Sequence, residues 1–267
     1  MTTENKKYKA RFQHFGAMIQ ESRILIEHYQ PELDKKEWMN HIIQNNILGK
    51  SSRAWAKELV NGVFFPRFID GLIPDVWKDL KLLLLNNIPT TVINSLFYYL
   101  TVKSDEFIYD YVINEIYDRY FTGRLSIAAA DVYDYIQSIP EENFNSKWSD
   151  YTKLRLSRGI MATLRDFGIL TGKAQKKIAN YFLPLESFLY IAFFLKREVQ
   201  SGEKMLEHPD WRLFLLNPKL VERMFLEAHQ QHYLSYQAAG AIIRIEFPFQ
   251  HSGELINAIC STTTGTA

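Results

Sequence analysis

The sequence predicts a mainly α-helical protein with a small antiparallel β-sheet in its C-terminal part. Three observations carry that prediction. Apolar residues recur at three- and four-residue intervals between capping and breaking residues through the first half. A polar stretch, Glu141 to Ser146, follows Pro140 and divides the chain into 1–145, a helical bundle, and 146–267. Beyond it, Lys177–Leu183 and Ala241–Phe247 are rich in β-branched or aromatic residues and read as strands.

In chain order, Ala17–Tyr29 is apolar at Ile19, Ile26 and Tyr29 and is stopped by Pro31. Asp34 caps the next helix with Glu37 at the capping-box position, and Trp38, Met39, Ile42 and Ile43 share a face. Gly49 ends it. Ser51 or Ser52 then caps a helix with Trp55, Ala56, Leu59, Val60, Val63 and Phe64 inward. Pro74 and Pro89 stand at the starts of two more helices. Ser104 opens another, carrying Phe107, Ile108, Tyr111, Val112 and Ile116, and a last one runs from Ser126 to Ser138. The short connections predict antiparallel packing. In the second part Ser149 caps a helix to Phe167, with Gly168 at its left-handed C-terminal position. Helices at Glu186–Gln200, Pro209–Leu216 and Pro218–Gln231 follow, the last capped by Asn217, and Tyr233–Gln237 is the pairing partner for Ala241–Phe247.

Composition excludes several classes. Apolar and charged fractions of 47% and 23% are those of an ordinary globular chain. The single cysteine, Cys260, permits no internal disulfide and fits a reducing compartment. The longest apolar run, Phe188–Leu195, is far short of the roughly 20 residues a membrane span needs. No signal-peptide core follows the basic N-terminus, so a cytoplasmic location is expected.

Charge is distributed unevenly. The whole chain carries +1, yet Lys147 to Lys177 holds Lys147, Lys153, Arg155, Arg158, Arg165, Lys173, Lys176 and Lys177 against only Asp150 and Asp166. At 100° per residue, Leu154, Ser157, Ile160, Met161, Leu164 and Phe167 form one stripe of the helix. Arg155, Arg158 and Arg165 fall opposite, and Lys153 must snorkel past the stripe. Helix, glycine turn and basic strand, in that order, match the recognition helix and wing of a winged helix-turn-helix, whose wing touches backbone phosphates. A plain solvated face normally mixes both signs, and here acidic partners are scarce. Lys50 and Arg53, beside Lys57, form a second basic group at a helix start, and Lys6, Lys7, Lys9 and Arg11 a basic arm.

Catalytic signatures are missing. His229 and His232 stand three apart without a third ligand, so no metal site is assigned. Asp105, Glu106, Asp110, Glu115 and Asp118 make an acidic helix without a nucleophile or base. No phosphate-loop, dinucleotide or nucleophile-elbow motif occurs, so no cofactor and no enzymatic activity are expected.

Four stretches stand out together: Gly16–Arg23 (Gly-Ala-Met-Ile-Gln-Glu-Ser-Arg), Asn46–Lys57 with the downstream Arg67, Trp148–Arg155, and Leu164–Leu170 followed by Asn180–Pro184. As a set they resemble the BrxA family of BREX (bacteriophage exclusion) phage-defence systems. They stand in the family's order, and Ala17 replaces a glycine that relatives often carry. The resemblance implies a small accessory protein encoded beside a methyltransferase, an ATPase and a phosphatase-like component. It also implies a bundle similar to NusB-type nucleic-acid binders, and DNA binding.

Together these readings predict a non-enzymatic protein that binds double-stranded DNA through phosphates with little base specificity. Arg155, Arg158 and Arg165 would face the duplex, Lys173, Lys176 and Lys177 would touch it from the wing, and Lys50 and Arg53 would add second-tier contacts. Two rivals remain: an assembly adaptor for other BREX proteins, and an RNA binder of NusB type.

Overall fold

The computed structural model describes residues 8–264 apart from 174, 200 and 241. After a one-turn 3-10 helix at Arg11–Gln13, the first half is built from α1 (Ile19–Glu27), α2 (Lys35–Gln44), α3 (Arg53–Leu59), α4 (Val76–Leu85) and α5 (Thr90–Lys103). It continues through α6 (Glu106–Asp110), α7 (Tyr117–Phe121), β1 (Ser126–Ile127) and α8 (Ala129–Ser138). The second half holds α9 (Asp150–Asp166), β2 (Leu170–Thr171), β3 (Lys176–Ile178), α10 (Leu185–Glu198), α11 (Gly202–Leu206), a 3-10 turn at Pro209–Phe214 and α12 (Pro218–Gln230). It ends with β4 (Ser235–Ala239), β5 (Ile242–Glu246) and α13 (Ser252–Thr264).

Local chemistry explains most of these boundaries. Asp34 accepts from the amides of Lys36 and Glu37, and Glu37 accepts from the Asp34 amide in return, closing the capping box at the start of α2. Ser52, Ser149 and Asn217 cap α3, α9 and α12 as expected. The helix after α5 is capped by Asp105, which accepts from the amides of Phe107 and Ile108, while Ser104 closes α5 instead. Two helices widen in mid-course. α3 continues as a π-helical segment, Val60–Ile69, around Pro66, which has no N–H to give the ordinary ladder. Tyr111–Ile116 forms the same kind of wide turn between α6 and α7.

Three elements differ from the sequence reading. Ser126–Ile127, expected as the start of a helix, is β1, the outer strand of a sheet ordered β1-β3-β2 with antiparallel pairs Ser126↔Lys177 and Thr171↔Lys177. The strand expected over Lys177–Leu183 is confined to Lys176–Ile178, and the rest runs as extended coil to Pro184. The C-terminal segment forms α13, which buries Leu255, Ile256, Ile259 and Cys260 against α4 and α10. β4 and β5 pair antiparallel as expected, with β4 two residues later than predicted.

A single hydrophobic core runs through both halves, with α5 and α10 packed together near its centre. Packing is continuous across residues 145 and 146. α8 and the Arg11–Gln13 turn both lie against α9, and β1 pairs with β3. Among the described residues no helix is long and apolar enough to cross a membrane.

Candidate nucleic-acid interface

α9 buries Leu156, Ser157, Ile160, Met161, Thr163 and Leu164. The predicted stripe is right at its centre and displaced at its edge: Leu156 is inside and Leu154 is exposed. The displacement follows from what packs on each flank. α8 lies on one side, and on the other the Arg11–Gln13 turn approaches so closely that a Cβ on Gly159 would stand 1.8 Å from the Phe12 carbonyl oxygen. The strip left to solvent carries Tyr151, Leu154, Arg158 and Arg165.

The predicted cations separate into engaged and unengaged groups. Arg155 donates to the Gln13 carbonyl at 3.1 Å and lies over the Tyr151 ring. Arg165 is held by its neighbour Asp166, at 3.0 and 2.6 Å. Lys176 turns back to the Lys173 carbonyl at 2.8 Å, and Lys50 pairs with Glu21 at 3.1 Å while covering Trp55. Lys153 reaches the Gln137 side chain at 3.2 Å rather than snorkelling along the apolar stripe. Arg158, Lys173, Lys177 and Arg53 are exposed and have no acidic partner among the described residues. Lys173 and Lys177 belong to the β2–β3 hairpin, which turns at Gly172 with φ +96°, a conformation natural only to glycine.

From Tyr8 onward the basic arm joins the two basic groups; Lys6 and Lys7 lie outside the described residues. The Tyr8 hydroxyl donates to Asp110, and Arg11 donates to the Ser104 carbonyl. Phe12 meets Gly159 of α9, and Phe15 packs its ring 5.9 Å from Trp55 of α3. Residues 11–17 therefore form the joint between the start of α3, with Lys50 and Arg53, and α9, with Arg155 and Arg158.

That joint is clamped by a residue to which the sequence reading gave no role. Arg67, fully buried in the π-helical segment, donates to the carbonyls of Gly16 at 2.9 Å and Ala17 at 2.8 Å. Burial lowers its pKa to about 9, against the opposing pull of the Asp105 carboxylate. A guanidinium inside the apolar run Val60–Ile69 was the signal: buried cations need fixed acceptors.

The other polar clusters find partners within the chain. Glu115 and Asp118 pair with Arg119 and Arg124, and the His229 ring contacts the Leu234 carbonyl. No group of three or more His, Cys, Asp or Glu side chains suited to a metal occurs among the described residues.

Three segments of the BrxA resemblance, around Gly16, Asn46–Arg67 and Trp148–Arg155, thus meet at one joint. The BrxA family model matches residues 6–193, well over half of the chain. The chain belongs to the BrxA family. That membership brings a role associated with BREX phage defence. No curated protein matches the chain. Among solved structures it is similar to the crystal structure of an uncharacterized protein from Magnetospirillum magneticum, with a TM-score of 0.58 and 14% identity. The similarity covers 79% of this chain and all of the other, and at that identity it speaks for the fold alone.

Proposed function

We propose that this BrxA-family chain is a non-enzymatic accessory protein of a BREX system that binds double-stranded DNA through backbone phosphates. The observation that supports the reading best is the set of exposed cations that have no acidic partner among the described residues: Arg158 on α9, Lys173 and Lys177 on the hairpin, and Arg53 at the start of α3. Arg165 and Lys50, paired with Asp166 and Glu21, gain less from a phosphate because they exchange one anion for another. Arg155 and Lys176 must give up their hydrogen bonds to the Gln13 and Lys173 carbonyls to reach one, and all four take a supporting part. In this reading α9 and the β2–β3 hairpin act as a winged-helix-like unit, the bundle is NusB-like, and sequence preference is slight because phosphate contacts carry no base information.

Fluorescence anisotropy on a labelled duplex across a salt series tests it. Four phosphate contacts give a slope of log Kobs against log salt near about −3.6. Arg158→Glu/Lys173→Glu/Lys177→Glu is expected to flatten that slope to about −1. Arg165→Glu alone should cost less affinity than Arg158→Glu, since Asp166 already half-neutralises Arg165. Absence of duplex binding at low salt refutes the DNA reading and leaves the adaptor role. Preference for structured RNA over duplex DNA in competition selects the RNA reading.

A further inference from the structure

A cavity of about 670 Å³ opens between the last turn of α10 and β5. Its volume is that of a small-molecule site. All of its lining except Phe193 lies beyond residues 6–193, so membership of the BrxA family says nothing of it. Two kinds of side chain meet there. Lys196, Arg197 and Arg244 supply cations, and Phe193, Phe247 and Phe249 supply phenyl rings. Among the described residues that line it, Glu246 is the only carboxylate, and Arg244 holds it at 2.8 Å.

Lys196 and Arg197 are left to meet an anion. Neither has an acidic partner or donates a side-chain hydrogen bond among the described residues. Cations in the last turn of a helix ordinarily serve its exposed carbonyls. Arg197 does not: its guanidinium lies back over Phe193 and Phe194, four and three positions earlier, 5.0 Å from each ring centroid. The two rings stand at 90° to each other, so the guanidinium sits in their corner with its N–H groups left for a ligand. Phe247 extends the aromatic wall, edge-on to Phe193 at 5.5 Å. Lys196 is half-buried, which strips water from an ammonium that no anion compensates.

The occupant must suit both halves of this lining. Inorganic phosphate would neutralise the cations but leave the half-buried rings of Phe247 and Phe249 without a partner. A wholly apolar ligand would cover Lys196 and Arg197 with nothing to offset their charge. A molecule with phosphate at one end and a flat aromatic system at the other meets both demands, because a guanidinium takes phosphate oxygens in pairs and phenyl rings stack on bases. We infer that this cavity binds a nucleotide, its 5′-phosphate held by Lys196 and Arg197 and its base against Phe247 and Phe249. The site goes beyond the DNA reading and uses none of its residues.

Isothermal titration calorimetry of the full chain with AMP tests it, with adenosine and inorganic phosphate as separate titrants. AMP is expected to bind at one site per chain, and adenosine and phosphate each at least tenfold more weakly. Lys196→Gln/Arg197→Gln should weaken AMP at least tenfold while duplex affinity stays constant, with folding checked by circular dichroism. The milder Arg197→Lys should also weaken AMP, because it keeps the charge and loses the paired donors. A 5′-phosphorylated dinucleotide separates two sources of the same group: tighter binding than AMP assigns the cavity to the end of a strand, weaker binding to the free nucleotide. The inference fails if AMP does not bind, if adenosine or phosphate binds as well as AMP, or if Lys196→Gln/Arg197→Gln leaves AMP affinity unchanged. It fails equally if that variant loses duplex DNA to the same extent, since these cations would then belong to a general nucleic-acid surface.

Discussion

Asp210 has no solvent exposure and accepts hydrogen bonds from the hydroxyls of Tyr99 and Tyr109, both at 2.6 Å, and from the Lys103 ammonium at 3.0–3.1 Å. Removing it leaves a largely buried cation and two buried hydroxyls without an acceptor. Asp210→Ala is therefore expected to cost about 3–5 kcal/mol, measured by urea denaturation. Asp105 makes a different prediction. Burial raises its pKa to about 6, although the Ile108 and Phe107 amides and the cations of Arg11 and Arg67 pull it down. An unfolded aspartate titrates near ~3.9. Between those values the folded state holds the extra proton, so this group adds stability as pH falls through 6, and that stability is lost as pH rises through 6. The contribution is bounded by roughly 3 kcal/mol. Asp105→Asn, which keeps the capping oxygen, should flatten this limb of the stability curve between pH 4.5 and 7.5 relative to wild type. An unchanged difference between the two pH values would show that Asp105 does not titrate there. Burial raises Asp79 in the same direction, so the comparison with wild type isolates Asp105.

At the scale of elements, α9 sets local propensity against packing. Exposed helical glycine costs about 1 kcal/mol against alanine, so Gly159→Ala would stabilise an isolated α9. Here the added methyl meets a backbone oxygen, which cannot rotate away. Such overpacking costs about 1–3 kcal/mol; the net effect is expected to be destabilising, read as a lower urea midpoint, with the loss centred on residues 8–17 in hydrogen exchange. The same element shows what the sequence could reveal. Ser149, Gly168 and the 3.6-residue period locate α9 because those signals lie within one or two turns. That Arg155 is engaged by Gln13, 142 residues away, has no local signal. Arg165 and Asp166 are adjacent, and neighbours on a helix do not face each other in mid-course. Their pairing depends on the last turn, where the chain leaves the helix. β1 escaped because two residues carry no period of their own and are ordered by β3, fifty positions later. α13 escaped for another reason: Leu255, Ile256 and Ile259 have helical spacing, but the Ser-Thr run beyond them reads as a polar tail.

For the whole molecule, the question is whether residues 1–145 and 146–267 unfold together. Interfaces between independent domains are modest and polar, whereas the contacts joining these halves are core contacts. Tyr98 of α5 packs on Phe167 and Phe214 and donates to the Leu213 carbonyl at 2.9 Å. Phe107 meets Trp148, β1 pairs with β3, and the Asp210 cluster ties the 209–214 turn to α5 and α6. Exposing either half alone would open these buried aromatics and leave the Asp210 carboxylate without its donors. Both penalties fall on any half-folded state, which favours one cooperative transition even at a length where intermediates are common. Pulse-labelled hydrogen exchange across a urea series is expected to show peptides from α1–α5 and from α9–α12 losing protection at one midpoint. Asp210→Ala should lower that midpoint for both sets together. Two midpoints, with only the C-terminal set moved by Asp210→Ala, would instead show that the chain divides near residue 145 in stability despite its continuous core.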